Sequence, residues 1–254
     1  MVQVVDAIEV AELKRGLQEE EFMVVLCTPE SSATFFTEFG NEQVSGRAVV
    51  IVPPGESSIF VDPKSKVVQL FGRSSRDLMD EAWNSSWNQK VDLRVSPNRA
   101  WPEPIDGFRL RTYLVDDFPK DPKRLGRIFQ SSIGMVNFFH SEEGPRDDNL
   151  LTPHSHPDFE QCTVHLAGDY VHHVRTPWTA RIADWRPDEH RYVSSPGVIV
   201  IPAQSVHTSQ AIHGGAHQLI DFFSPPRMDW ARTPGWVLNG NEYPLPDSLD
   251  PERR

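Results

Sequence analysis

Short apolar stretches separated by turn residues make up most of the hydrophobic and polar pattern along this chain. The stretches are rich in β-branched and aromatic residues, and proline, glycine, serine and aspartate lie between them. Regularly spaced short strands of this kind indicate an antiparallel sandwich or barrel. The predicted strands are FMVVLC, SGRAVVIVPPG, SSIFV, KVVQLFG, FRLRTYLV, GRIFQSSIGMVNFF, EQCTVHLAG, DYVHHV, GVIVIP and QLIDFF.

Two segments depart from the strand pattern and predict helices. Ile8, Leu13 and Leu17 recur near helical spacing and predict an amphipathic helix over Asp6–Glu21. A second short helix is predicted over Asp77–Trp87. The segment SPNRAWPEPIDG contains three prolines, which central strands do not accept, so we interpret it as a linker. We therefore expect an all-β chain with an N-terminal helix.

The two halves of the chain share a short pattern. SGRAVVIVPPGES and SPGVIVIPAQSVH each contain a glycine, an apolar β-branched run, a proline and a small or polar turn. This pattern is expected if the chain contains two copies of one β-unit, of which only the second keeps a histidine. The alternative is that any buried strand ending in a proline turn has this pattern. We expect two domains, residues 1–113 and residues 114–254.

Charge and composition restrict the partners and the compartment. A formal net charge of −11 argues against nucleic acid and anionic membranes, which require a cationic face. No apolar run has the length of a membrane span, and the N-terminal residues lack the pattern of a secretory signal. Cys27 and Cys162 are too few for a disulfide framework. We expect a cytoplasmic protein with a small-molecule substrate, and the sequence leaves a homodimer open.

The histidines are concentrated in the second half of the chain. All ten lie from His140 onward. In a strand, His154 and His156 project to the same face, where two imidazoles could hold zinc, iron, copper, nickel or manganese. His207 follows a predicted strand and a proline turn, and is the best-placed third ligand. The alternative is that these are surface histidines, since two histidines at this spacing alone are a weak signal.

These segments resemble the two motifs of the cupin superfamily. The first cupin motif is His-x-His, three or four residues, an acidic or amide ligand, six residues and a glycine. The second is a glycine, an apolar strand and then Pro-x-Gly-x-x-His. The residues that match the first are His154, His156, Glu160 or Gln161, and Gly168. Those that match the second are Gly197, Pro202 and His207, with Gln204 in place of the glycine.

The fourth metal ligand is either of two adjacent residues. Glu160 has the negative charge that a divalent ion prefers. Gln161 has the spacing of the motif, because six residues separate it from Gly168. We favour Gln161, since a neutral amide beside three neutral imidazoles would leave the ion strongly Lewis acidic.

The resemblance implies a fold, a cofactor and a class of function. It implies two cupin-like jelly-roll barrels, of which the first is degenerate because Ser58 stands at its histidine position and residues 1–113 contain no histidine. It implies one divalent metal ion, either iron or one of zinc, nickel and manganese. The first expectation is a metal-dependent enzyme, a dioxygenase acting on a small oxygenated substrate. The alternatives are a metal-dependent isomerase, lyase or hydrolase, and a non-enzymatic cupin that binds a small ligand.

Other residues near the motifs are candidates for catalysis and substrate binding. If Gln161 is the ligand, Glu160 is free to act as a general base, and strand alternation sends His165 to the same side as Gln161. His173 is a further catalytic candidate, because one of two adjacent histidines on its strand must face the cavity. Arg175 shares the face of His173 and could bind a substrate carboxylate, or it could pair with an acidic residue of the chain.

Overall fold

The computed structural model describes residues 1–86, 92–96 and 101–246, which fold almost entirely into β-strands. The strands of the first half are β1 Val2–Asp6, β2 Ala11–Gln18, β3 Phe22–Leu26, β4 Ser32–Thr37, β5 Gly40–Ser45, β6 Ala48–Val52, β7 Gly55–Val61, β8 Lys66–Leu70 and β9 Arg111–Leu114. Those of the second half are β10 Gly126–Gln130, β11 Met135–Phe139, β12 Glu142–Glu143, β13 Gln161–Ala167, β14 Asp169–Arg175, β15 Glu189–Ser194, β16 Gly197–Ile201, β17 Val206–Ile212 and β18 Ala216–Phe223. The helices are α1 Arg76–Glu81 and α2 Met228–Ala231.

The strands form four antiparallel sheets, two in each half of the chain. The first half contains a sheet in the order β1-β8-β3-β6-β9 and a smaller one in the order β2-β7-β4-β5. The second half contains the order β10-β11-β18-β13-β16, with β12 paired to β18, and the order β15-β14-β17. The predicted all-β class is confirmed. The domain boundary predicted after residue 113 falls inside β9, which pairs with β6 of the first half.

The strand pairings of the first half recur in the second. Strand β3 lies between β6 and β8, as β13 lies between β16 and β18. Likewise β4 lies between β5 and β7, as β14 lies between β15 and β17. The two segments that share a sequence pattern form β6–β7 and β16–β17, so they occupy equivalent places in the two halves.

The largest apolar core lies between the two larger sheets and draws on both halves. Met23 and Val25 of β3 pack there with Val164 of β13 and Ile220 of β18. A second apolar cluster fills the space between the two sheets of the first half, where β3 contributes the alternate residues Phe22, Val24 and Leu26. Strand β3 is therefore buried on both faces, which explains its continuous apolar sequence.

The helix predicted over Asp6–Glu21 is wrong. Half of this segment forms β2, which alternates mostly between half-buried and exposed residues with the period of a strand. Ile8 and Leu17 are 93% and 83% exposed, so they do not form the apolar face that a helix would need. Pairing of β2 with β7 outweighs the weak helical spacing.

The second predicted helix is present but short. Helix α1 covers Arg76–Glu81, and Trp87, the predicted end, lies outside the described residues, as do residues 97–100 of the predicted linker. Among the residues that the structure describes, no helix has the length and apolar character to cross a bilayer.

Gly168 occupies a turn that excludes a side chain. Its φ is +80°, and an added Cβ would meet the ring of His217 and lie 2.8 Å from the carbonyl oxygen of Ala216. We therefore expect Gly168→Ala to lower the free energy of unfolding by roughly 2 kcal/mol. Gly214→Ala is the matched control, because nothing lies within 4 Å of the position of its Cβ. Chemical denaturation of the two variants and the parent measures the difference, and equal midpoints for all three would contradict the expectation.

Candidate metal centre

A backbone bridge brings the two histidine segments together. The N–H of His154 donates to the carbonyl of His207 at 3.0 Å, and the N–H of His207 donates back at 2.8 Å. The N–H of Gln204 donates to the carbonyl of His156 at 2.6 Å. As a result, a nitrogen from each ring of His154, His156 and His207 lies within 4.8 Å of the others.

Gln204 keeps the shape of the turn although the resemblance has glycine there. Its φ is +67°, the left-handed conformation that glycine adopts most easily. Its side-chain Nε2 donates to the carbonyl of Pro157 at 3.2 Å, which ties the turn to the segment that follows His156.

Hydrogen bonds to backbone carbonyls set the tautomers of two of the rings. His154 Nδ1 lies 2.9 Å from the carbonyl of Thr152, and His207 Nδ1 lies 2.9 Å from the carbonyl of Ser205. A carbonyl oxygen only accepts, so each Nδ1 carries the proton and each Nε2 presents a lone pair. Histidines that bind metals are oriented in this way.

The amide of Gln161 is oriented by a chain of buried hydrogen bonds. Its Nε2 donates to Thr163 Oγ1 at 3.1 Å, and Thr163 donates to Asp221 Oδ1 at 2.5 Å. The amide oxygen therefore faces the histidines, with Oε1 3.0 Å from His156 Nε2 and 3.2 Å from His207 Nε2.

The pair formed by His207 and Gln161 suits a cation. With the proton on Nδ1, His207 Nε2 is an acceptor, and it faces the acceptor Gln161 Oε1 at 3.2 Å. Two lone pairs that face each other are unfavourable unless a proton or a cation lies between them. Nitrogen and oxygen donors of this kind fit a divalent transition metal.

Burial keeps the imidazoles of His156 and His207 neutral. It lowers the pKa of His156 to about 4 and also places the pKa of His207 below its ordinary value. Both rings are therefore unprotonated near neutral pH, as a metal ligand must be. Burial has the opposite effect on Asp221 and raises the pKa of this carboxyl to about 7.

Gln161 and Glu160 face different surroundings. Gln161 begins β13 and is buried against the histidines, whereas Glu160 precedes the strand and is exposed. The charges that act on Glu160 are those of Asp92 and Arg94, not those of the histidine cluster. The general-base role expected of Glu160 stays a prediction.

Aromatic side chains pack against the ring of His156. The ring of Phe159 stacks on His156 with centroids 4.4 Å apart, and the edge of Phe223 approaches it at 5.8 Å. The guanidinium of Arg227 lies 4.6 Å from the Phe159 centroid and 3.7 Å from that of Trp230. These contacts limit rotation of the His156 ring and place a fixed positive charge behind it.

A second pair of histidines lies between the two sheets of the second half. His165 is buried, with its Nδ1 3.1 Å from the carbonyl of Gly197 and its Nε2 2.7 Å from His172 Nε2. The catalytic role expected of His165 stays a prediction. Ser209 Oγ lies 3.1 Å from His172 Nδ1. Burial lowers the pKa of His165 to about 4 and that of His172 to about 3, so the pair is neutral at pH 7.

His173 and Arg175 lie on the outer face of the sheet, which corrects the expectation that this face reaches the cavity. Val174 is the cross-strand partner of His207, which faces inward, so its two neighbours on β14 face outward. Arg175 pairs with Asp188 at 2.6 Å, the alternative that the sequence had left open. The catalytic and substrate-binding roles expected of these two residues stay predictions.

Three residues of the site were missed from sequence. Asp221 is the single acidic residue in the apolar stretch QLIDFF, a signal that could have identified it as a buried partner. Phe159 and Arg227 carry no such signal, because their contacts depend on how distant segments pack.

No protein-family model matches the chain, and neither does any curated protein. Solved structures do match. One of oxalate decarboxylase, described for its substrate binding mode and a reaction specificity switch, aligns with a TM-score of 0.50 and 13% identity over 98% of this chain and 76% of its own. A tryptophan-to-phenylalanine variant of oxalate decarboxylase from Bacillus subtilis aligns with a TM-score of 0.50 and 12% identity over the same shares. At these identities the likeness shows the fold, which is the jelly-roll β-barrel of cupins.

The orientation of Gln161 leads to a testable difference between two neighbours. We expect Gln161→Ala to weaken metal binding by roughly 10-fold or more, because it removes the oxygen that faces His156 and His207. Glu160→Ala is the matched control and should leave metal affinity unchanged. Competition with a chelator of known affinity measures both. The assignment is reversed if Glu160→Ala releases the metal while Gln161→Ala retains it.

Thr163→Val tests the chain of hydrogen bonds behind that amide. Valine has nearly the same shape but cannot accept from Gln161 or donate to Asp221. We expect metal affinity to fall by several-fold while the protein stays folded, because the amide is then free to rotate. Circular dichroism checks the fold, and the same chelator competition measures affinity. Unchanged affinity would show that this chain does not orient the amide.

Proposed function

We propose that this chain is a metal-dependent cupin enzyme that acts on a small oxygenated organic substrate. The observation that carries the proposal is the convergence of His154, His156 and His207 with the oriented amide oxygen of Gln161. The lone pairs of His207 Nε2 and Gln161 Oε1 face each other without mutual attraction, so a bound cation explains their arrangement better than packing does.

The charge of the donors indicates the kind of chemistry. All four are neutral, so a divalent ion held by them would keep its full charge. Such an ion, when bound, would polarise a carbonyl or stabilise an enolate as a Lewis acid. Iron, zinc, nickel and manganese all accept imidazole and oxygen donors, and the donor set does not choose among them.

The burial of the ligands indicates where a substrate would enter. His154 is exposed, whereas His156 and His207 are 7% and 2% exposed. The rings of Phe159 and Phe223 cover the side behind His156. An ion that accepts five or six donors would keep one or two positions free on the side of His154, which suits a small ligand with one or two oxygen donors.

The neutral donor set favours an isomerase, lyase or hydrolase over the dioxygenase that the sequence favoured. A carboxylate ligand at Glu160 would have lowered the electrophilicity of the ion and brought the site closer to the common histidine–carboxylate iron sites. The neutral amide of Gln161 does not lower the electrophilicity of the ion and does not make the site a histidine–carboxylate site. Dioxygenase chemistry is the second candidate, because three imidazoles with open positions also suit iron with a bidentate substrate and O₂.

Loss of His207 should empty this site. We expect His207→Ala to lose about one equivalent of metal relative to the parent, because it removes a lone pair that no other described residue can replace. His213→Asn is the control: His213 is exposed beside Asp169, and asparagine tolerates its φ of +68°. Elemental analysis of protein purified without a metal-affinity tag gives the count. Full retention of metal by His207→Ala, and by the equivalent His154 and His156 variants, would exclude the site.

The reaction class is tested by loading the stripped protein with one metal at a time. Small carboxylates, hydroxy acids and keto acids are screened by thermal shift, and the ligands found are incubated with and without O₂. Turnover without O₂ on zinc, nickel or manganese supports the Lewis-acid class, and turnover that needs iron and consumes O₂ supports the dioxygenase. Metal-dependent binding with no turnover on any metal would contradict the enzyme and favour a ligand-binding cupin.

A further inference from the structure

We propose a second metal site on the outer face of the three-stranded sheet, built on His173 and His190, for a late first-row divalent ion such as copper, nickel or zinc. The two residues are cross-strand partners on β14 and β15. Their Nδ1 atoms lie 2.6 Å apart. This site uses none of the ligands of the three-histidine cluster, so it does not depend on the function proposed above.

The lone pair of His173 is fixed in place by two further side chains. His173 Nε2 lies 2.9 Å from Gln210 Oε1, and Gln210 Nε2 donates to Asp148 Oδ1 at 2.5 Å. Because Asp148 only accepts when ionised, it sets the amide of Gln210 with its oxygen toward His173. His173 Nε2 therefore carries the proton, and Nδ1 presents a lone pair to His190. A histidine whose one ring nitrogen donates a hydrogen bond while the other presents its lone pair is typical of a metal ligand.

His190 can supply the second donor by changing tautomer. Without an ion, its Nδ1–H donates to the lone pair of His173. With an ion present, the proton lies on Nε2 and Nδ1 also presents a lone pair, so the ring stays neutral and no net proton is released. Metal–nitrogen bonds of about 2.0–2.1 Å place two donors roughly 3 Å apart, so the rings need to separate by only a few tenths of an ångström.

A small pocket beside the pair has room for further ligands of the ion. Its volume is about 260 Å³, and its lining includes both histidines, Asp188 and Thr208, together with His207 of the three-histidine cluster. Thr208 is the cross-strand partner of His173 and is 6% exposed. Its Oγ1 is buried and has no hydrogen-bond partner among the described residues. A buried hydroxyl with no partner on the face that carries both imidazoles indicates a ligand or a water held there.

The charges around the pair permit a cation. Arg175 is neutralised by Asp188 through hydrogen bonds from Nε and one terminal nitrogen. Asp148, behind Gln210, adds a negative charge on the side of His173. Imidazole donors select copper, nickel and zinc over magnesium and calcium, which prefer oxygen ligands.

Titration with Cu²⁺ near neutral pH tests this site on the full chain. We expect the parent to bind two ions, His190→Ala to bind one, His207→Ala to keep the outer one, and the double variant to bind none. His190 is exposed, so its replacement should leave the fold intact. His213→Asn, which removes an exposed histidine elsewhere, should bind two ions like the parent.

Gln210→Leu tests the orientation of His173 separately. We expect it to weaken the outer site by roughly 10-fold and to leave the three-histidine cluster unchanged. The proposal is overturned if His190→Ala binds as many ions as the parent with the same affinity, or if His213→Asn loses the weaker ion equally. Failure of the three-histidine site would instead appear as full binding by His207→Ala, so the two outcomes are distinguishable.

Discussion

The pair of backbone hydrogen bonds between His154 and His207 is the constraint on which the site depends. His154 lies in a connecting segment, where loop entropy would otherwise leave its ring free to move. His207 lies on β17, which is fixed by its pairing with β14. These two hydrogen bonds hold the backbone of the segment at His154 against the sheet. The hydrogen bond from the N–H of Gln204 holds the backbone at His156 in the same way. The backbone hydrogen bonds therefore position the histidine side chains without help from a bound ion.

The two halves have equivalent strand pairings but opposite interiors. The pairing of β3 with β6 and of β13 with β16 shows which residues of the two strands are equivalent. The inward face of β3 is apolar, whereas the equivalent face of β13 is polar. The equivalent residues are Phe22 and Gln161, Val24 and Thr163, and Leu26 and His165. At the place of His207, the first half turns Ser57 inward, not the Ser58 that the sequence alignment indicated. An apolar interior needs no partners, whereas each polar group of the second must be hydrogen-bonded, which explains its connected network.

The features that depend on neighbouring residues in the sequence were predicted correctly. The β-branched stretches became strands. Spacing paired His154 with His156, and the predicted strand and proline turn before His207 indicated the third histidine. The choice between Glu160 and Gln161 needed the residue at which β13 begins, because adjacent residues face opposite ways. Asp221 reaches Thr163 only through the register of β13 with β18, which the sequence of neither strand contains. The false helix at Asp6–Glu21 has the same cause, since pairing with a distant strand decides the structure of a weakly patterned segment.

The interior of the second half holds smaller apolar clusters than the interior of the first. Its buried histidines, Thr163 and Asp221 each lose hydration, and their hydrogen bonds roughly offset that loss without adding much stability. The apolar faces of β13 and β18 instead pack against Met23 and Val25 of the first half, in the largest apolar core of the chain. A half that has no histidine thus has a physical role: its sheet supplies the apolar burial that lets the other half keep a polar interior. We therefore expect the first half to be required for folding of the site, although none of its side chains lies in the cluster.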